Sequence, residues 1–181
     1  MAHELTAPAD AGGRLPAEGP PAIPPALSGE DDLALIAEAT AEAGRIALAL
    51  FGRDPRVSTK ADRTEVTEAD LAADAFLRER LLAARPGYGW LSEETTDDLS
   101  RLGRRATFVV DPIDGTKGFI DVTDRWVVSV ALVVDGRPTA GCLVRPVTGD
   151  VYLAAAGRGA FRNGEPIAAS RRTALEGARL A

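Results

Sequence analysis

The dipeptide Asp135-Gly136 stands between two apolar runs, residues 126–134 and 138–145, in a chain of 181 residues. Asp-Gly suits a two-residue type I′ turn, in which both central positions need a positive φ. The twist of that turn matches the twist of paired strands, so the two runs read as an antiparallel hairpin. A second pair of runs, 151–155 and 159–162, leads into Asn163-Gly164. Hairpins are marginal in water without a layer packed on one face. The residues upstream supply that layer. Across 31–51, Leu33, Ile36, Ala37, Thr40, Ala43, Ala47 and Leu50 recur at helical spacing, and the small residues Ala43, Gly44 and Ala47 predict close approach to a neighbour. Ser28 with Asp31 is a loose capping signal. A second helix is predicted over 68–84, patterned by Leu71, Asp74, Ala75, Leu77 and Leu81 and stopped by Pro86-Gly87. Short strands are predicted at about 88–92 and 106–111. Two helices followed by a mainly antiparallel meander predict an α+β fold, a layered sandwich.

Composition sets the bounds. With 45% apolar and 27% charged residues the chain supports one globular domain, placed at 30–181. Residues 1–29 read as a disordered tail, because Pro16, Pro20, Pro21, Pro24 and Pro25 lie among many Ala and Gly. That tail lacks the charged start and apolar centre of a secretory signal. No apolar run reaches the ~18 residues of a membrane span. The single cysteine, Cys142, excludes an internal disulfide and suits a reducing cytoplasm. It sits in a strand-like run and reads as a buried, inert thiol. The single histidine, His3, lies in the tail, which leaves the domain without histidine acid–base or metal chemistry. A net charge of −6 argues against nucleic-acid polymers as partners, though not against a small anionic substrate.

The chemistry is concentrated in three segments. Asp111-Pro-Ile-Asp114-Gly115-Thr116 follows the apolar run Ala106–Val110, so a strand delivers two carboxylates into a turn with free N–H groups at Gly115 and Thr116. Strand-end carboxylates bind hard cations such as Mg²⁺, and turn N–H groups bind phosphate oxygens. Asp-Pro and Asp-Gly are also ordinary turn dipeptides. Ser92-Glu93-Glu94-Thr95 places paired glutamates at the end of another strand, where they form either a solvated acidic loop or a cation site. Thr67 and Asp70 have nearly the spacing of a capping box, with Asp in place of Glu. An N-cap hydroxyl with such a carboxylate can also orient a water. Lys117 and Arg125 follow the turn, as substrate contacts or as solvated cations.

In this order the three segments resemble the Mg²⁺-dependent, lithium-sensitive phosphatases, a superfamily that includes inositol monophosphatase, fructose-1,6-bisphosphatase and the 3'(2'),5'-bisphosphate nucleotidases. The likeness continues through Trp126–Pro138 and Gly157–Gly164 and covers roughly residues 31–181. The resemblance implies one Mg²⁺ on Glu93, Asp111 and the Ile113 carbonyl, and a second shared by Asp111 and Asp114. It implies that Gly115 and Thr116 offer N–H groups to a phosphate, with Lys117 close to the substrate. Glu94, Thr67, Asp70 and the Thr116 hydroxyl would position or activate the attacking water. The implied reaction is phosphomonoester hydrolysis. Residues 82–95 and 114–120 are most similar to the CysQ-type nucleotidases, which implies adenosine 3',5'-bisphosphate as substrate. Inositol-phosphate and histidinol-phosphate phosphatases share the same motifs and are the alternative.

The family pattern also has a later Trp-Asp motif, whose Asp completes the second metal site. Neither Trp90 nor Trp126 precedes an Asp. The C-terminal half of the family domain is therefore expected to be absent from this chain, which is then weakly active or a non-catalytic Mg²⁺- and phosphate-binding piece. An exposed sheet face or edge follows, suited to a homodimer or to a separately encoded second half.

Overall fold

The computed structural model describes residues 21–27, 31–59, 65–174 and 176–177. Helix α1 spans Asp31–Leu50, and β1 (Val57–Thr59) pairs antiparallel with β2 (Glu65–Thr67). Helix α2 spans Glu68–Ala84 and is followed by β3 (Gly89–Ser92), β4 (Ala106–Asp114) and the short helix α3 (Thr116–Ile120). The meander then runs through β5 (Val127–Val134), β6 (Arg137–Arg145), β7 (Asp150–Ala155), β8 (Gly159–Arg162) and β9 (Glu165–Ile167). Strands β3 to β9 form one seven-stranded sheet in sequence order. Only the β3–β4 pair in it is parallel. The expected α+β layering, with a mainly antiparallel sheet, is what the chain adopts.

Helices α1 and α2 pack on each other and on one face of the sheet. The helix side of the sheet presents Phe108, Val110, Val128, Val130, Leu132, Cys142 and Val144, all buried. Each fully buried aliphatic side chain of this kind contributes about 1.5–3 kcal/mol. The predicted stripe on α1 is core throughout, apart from Leu50, which is only partly buried against it. Its polar member, Thr40, is satisfied by donating to the Ile36 carbonyl at 2.7 Å. A Cβ on Gly44 would lie 3.1 Å from Pro146 Cγ and 3.4 Å from Val144 Cγ1, so the small residues do mark close approach. Cys142 is buried, and burial pushes its thiol up to about 12. That is an inert thiol at neutral pH.

Several expectations are corrected. On α2 the buried face is Ala69, Asp70, Ala73, Asp74, Leu77 and Leu81, whereas Leu71 is 53% exposed and Ala75 is exposed. The capping box fixes the start of that helix, and from there Leu71 falls on the solvent side. Leu27 is fully buried and Ile23 packs on the core, so residues before 30 contribute to the domain. Residues 1–20 and 28–30, with the Ser28 cap, lie outside the described residues. Strand β4 runs to Asp114 instead of stopping at Asp111. Asp111 pairs with Ser129 and Asp114 with Val127, three steps on β4 against two on β5. That is a β-bulge, which re-aims side chains at a sheet rim. Strands β1, β2 and β9 and helix α3 have no counterpart among the elements that the sequence predicts.

The two turn signals hold. Asp135 and Gly136 have φ of 50° and 75°, and Asn163 and Gly164 have 51° and 86°. No helix among the described residues is long and apolar enough to cross a membrane.

Candidate functional site

Parallel pairing of β3 with β4 builds the centre of the site. Ser92 aligns with Val110, and the Glu93 N–H extends the ladder to the Val110 carbonyl at 3.2 Å. Side chains alternate along both strands. Ser92 and Val110 therefore face the helices, while Glu93, just past the end of β3, is exposed and Asp111 is half-buried. The Glu93 side chain lies close enough to act on Asp111. Burial, the Glu93 charge and side chain, and the charges of Asp114 and Asp70 together push Asp111 up to about 7. Its Oδ1 is buried and has no hydrogen-bond partner.

Helix α2 brings the second group. Thr67 is the N-cap, with extended φ and ψ of −107° and 165°. Its hydroxyl accepts from the N–H groups of Ala69 and Asp70 at 3.1 and 3.4 Å. The hydroxyl and N–H of Thr67 donate to Asp70 Oδ2 at 2.6 and 2.8 Å. The near-match in sequence is thus a complete capping box. The other oxygen, Asp70 Oδ1, accepts from the Thr116 hydroxyl at 3.4 Å, and that hydroxyl also lies 3.2 Å from the Ile113 carbonyl. Asp70 is fully buried, and burial raises its pKa against the lowering effect of the Thr67 bonds. Thr67, Asp70, Thr116 and Ile113 are one connected network.

The turn after β4 is held from below. Gly115 has φ of 95°, and a Cβ on it would lie 2.4 Å from the Arg125 carbonyl oxygen. A Cβ on Gly118 would lie 2.5 Å from the same oxygen. Phe119 packs edge-on against Trp126 with centroids 4.9 Å apart, and Phe51 lies 5.4 Å from Phe119 and 5.5 Å from Trp126. The aromatic group seats α3, and the glycines let it lie against the Arg125 backbone.

The remaining expected residues sit at the periphery. Asp114 is exposed at the end of β4 and acts on Asp111 through its charge. Glu94 is half-buried, and its N–H donates to Ser92 Oγ at 3.2 Å. Lys117 is 82% exposed and pairs with Asp121 at 3.1 Å, as an ordinary pair along the helix. Among the described residues no three acidic, His or Cys side chains close into a finished metal cage. Glu93, Asp114 and Asp70 all act on Asp111 through their charges. Even so, the donor set fits Mg²⁺, which is held by one or two carboxylates and keeps several of its waters. The unpartnered Asp111 oxygen, buried beside a second acid, is the feature that a cation would satisfy. The sequence pattern places Asp74 on the helix without a functional role; it lies one turn from Asp70 on the same buried face.

Residues 30–181 match the inositol monophosphatase family. The chain belongs to that family. It is 40% identical to a histidinol-phosphatase of Chlorobaculum parvum over 140 residues, 77% of this chain and 53% of that one. It is 37% identical to a 3'(2'),5'-bisphosphate nucleotidase CysQ of Aggregatibacter actinomycetemcomitans over 71% of this chain and 48% of that one. Among solved structures, the suhB protein of Bartonella henselae superimposes with a TM-score of 0.72 at 31% identity, covering 78% of this chain and 55% of that one. The chain spans about half the length of the curated relatives it matches. Its seven-stranded sheet and two helices have the fold of inositol monophosphatase-family proteins.

Proposed function

We propose that this chain carries the cation- and phosphate-binding part of a Mg²⁺-dependent phosphomonoesterase. The observation that carries the reading is the Glu93–Asp111 pair with its buried, unpartnered Asp111 oxygen. In this reading Glu93, Asp111 and the Ile113 carbonyl hold one Mg²⁺, and Asp111 and Asp114 share a second. When bound, the cation neutralises charge on the phosphate and polarises a water.

The protein's own groups do the positioning. Gly115 and Thr116 present N–H groups at the start of α3, where a phosphate oxygen can be received. The Thr116 hydroxyl already lies within reach of Asp70, so a water in its place or beside it has an acceptor at Asp70 Oδ1. Thr67 holds the other Asp70 oxygen and fixes the direction of the first. Glu94, next to Glu93, is the second acceptor for that water. Phosphoryl hydrolysis is mostly positioning and charge neutralisation, so no covalent nucleophile is required.

The substrate is a small phosphomonoester. The nucleotide reading rests on residues near Trp90 and Lys117. Trp90 is half-buried in β3, and Lys117 is engaged with Asp121. Relatives of similar identity carry histidinol-phosphatase and nucleotidase names. Adenosine 3',5'-bisphosphate, histidinol phosphate and inositol 1-phosphate are therefore the substrates to compare. The test is phosphate release from each with and without Mg²⁺, beside thermal unfolding of the chain in the same buffers. Mg²⁺ at a hundred times its dissociation constant stabilises by about 2.7 kcal/mol, which raises Tm by several degrees in a domain of this size. A Tm indifferent to Mg²⁺ in the wild-type chain sinks the cation reading.

A further inference from the structure

Helix α2 carries a second buried acid that the scheme above does not use. Asp74 lies one turn beyond Asp70 on the same face and is 8% exposed. Its Oδ1 accepts from the Ser92 hydroxyl and its Oδ2 from the Thr95 hydroxyl, the latter at 2.7 Å. Ser92 Oγ in turn accepts from the Glu94 N–H. Both oxygens of one carboxylate are thus taken by the residues that bracket Glu93 and Glu94. Ser92, the last residue of β3, points toward α2 and bonds Asp74, and Glu93, the next residue, is exposed just past the strand end. Two acids side by side repel when ionised. The tether from Ser92 and Thr95 to Asp74 pulls on the loop from α2 and opposes its retreat. Asp70 and Asp74 then divide the work of α2, one serving the turn at Thr116 and the other the turn at Glu93.

We propose that Asp74 is a positioning residue. By holding Ser92 and Thr95 it sets the direction in which Glu93 and Glu94 leave β3, and with it the spacing of the Glu93–Asp111 pair. The proposal rests on the reading of that pair as cation ligands. It goes further in naming a residue outside the pair that decides how well a cation is held.

The experiment uses the 181-residue chain and Mn²⁺ alone as probe, followed by electron paramagnetic resonance of the free and bound ion. Removing the support of a ligand costs roughly 10–100-fold in metal affinity. Asp74→Asn is expected to weaken Mn²⁺ by that factor and to broaden the bound-ion spectrum, as a looser pair of ligands admits several geometries. Leu77→Ala, one turn further along α2, removes a fully buried side chain. It is expected to lower Tm and leave the affinity and line shape unchanged where the protein is folded, which separates positioning from general weakening of the helix. If Asp74→Asn does not fold, Ser92→Ala with Thr95→Val removes the same bonds from the loop side and reads the same loss. Wild-type affinity in the variant that folds, with binding lost in Glu93→Gln, overturns the positioning role and leaves the cation reading standing. Wild-type affinity in Glu93→Gln removes the cation reading and the proposal with it.

Discussion

Asp150 shows how much one side chain can organise away from the acidic site. At the start of β7 it is buried and receives the Thr148 hydroxyl at 2.8 Å, the Asn163 amide at 2.9 Å and the forked Arg162 guanidinium at 2.9–3.1 Å. The Arg162 bonds, with those of Asn163 and Thr148, hold its carboxyl down at about 2 against the opposing effect of burial. A depressed folded-state pKa stabilises the protein above the unfolded pKa, and that stability is lost as pH falls through the folded value. Acid should therefore erode the contribution of Asp150 between roughly pH 4 and pH 2. Asp150→Ala is expected to destabilise the chain at pH 7 by about 1.5–3 kcal/mol, the range for hydrogen bonds to a charged group. The difference from wild type should shrink as the pH is lowered through that window. Urea unfolding at pH 7, 4 and 2.5 measures this, and a constant difference across the three would show that the charge on Asp150 is not what binds the turn. At this same scale the sequence was most legible where a residue had one possible job. Asp135-Gly136 and Asn163-Gly164 needed left-handed backbone, and Thr67 with Asp70 had the spacing of a cap. Asp74 was not legible, because a buried acid on a helix face has no local signature; its partners lie on a strand whose direction only the sheet decides.

Among the elements, α3 is the one whose placement depends most on its neighbours. Five residues make a helix far too short to be stable alone, so its position comes from Phe119 beneath it and from the two glycines against Arg125. Gly115→Ala puts a Cβ 2.4 Å from a backbone oxygen at a φ of 95°. Left-handed backbone at a non-glycine residue costs about 1–3 kcal/mol, before the contact itself is relieved. The expected outcome is a lower Tm, with the turn of Thr116 displaced and its bond to Asp70 lost. A crystal structure of the variant with α3 unmoved would show that the packing tolerates the side chain. The sequence pointed to a turn here but not to a helix, and it stopped β4 three residues early. Asp-Pro-Ile-Asp reads as a chain break when taken alone. In the fold it is a bulge, and the bulge exists because β5 continues to pair on the far side of it. Strands β1 and β2 escaped notice for a related reason, since three residues offer no alternation to detect.

In the whole molecule, the layered α+β arrangement was legible because two helix-period segments and a run of turn-punctuated strands admit few other packings. The sheet carries helices on one face, while the other presents Leu91, Val109, Ala131 and Val133 half-exposed and Leu143 39% exposed. Its strands follow one another in space as they do in sequence, with two to four residues between successive strands from β5 to β9. Helix α1, by contrast, lies against β5 and β6 from the other end of the chain. Closing short loops costs little entropy and closing long ones costs more. Native topology thus sets an order of events on the way to the folded state. The β5–β6 hairpin can be nearly complete at the rate-limiting barrier, and α1 docks after it. Kinetic φ-values test this: Val130→Ala should approach one, while Ile36→Val should stay near zero. The reverse ranking would mean that the helical layer forms first and templates the meander. The parallel β3–β4 pair closes a longer loop than the β5–β6 hairpin, so in the same order the acids of β4 come alongside Glu93 only after that hairpin has formed.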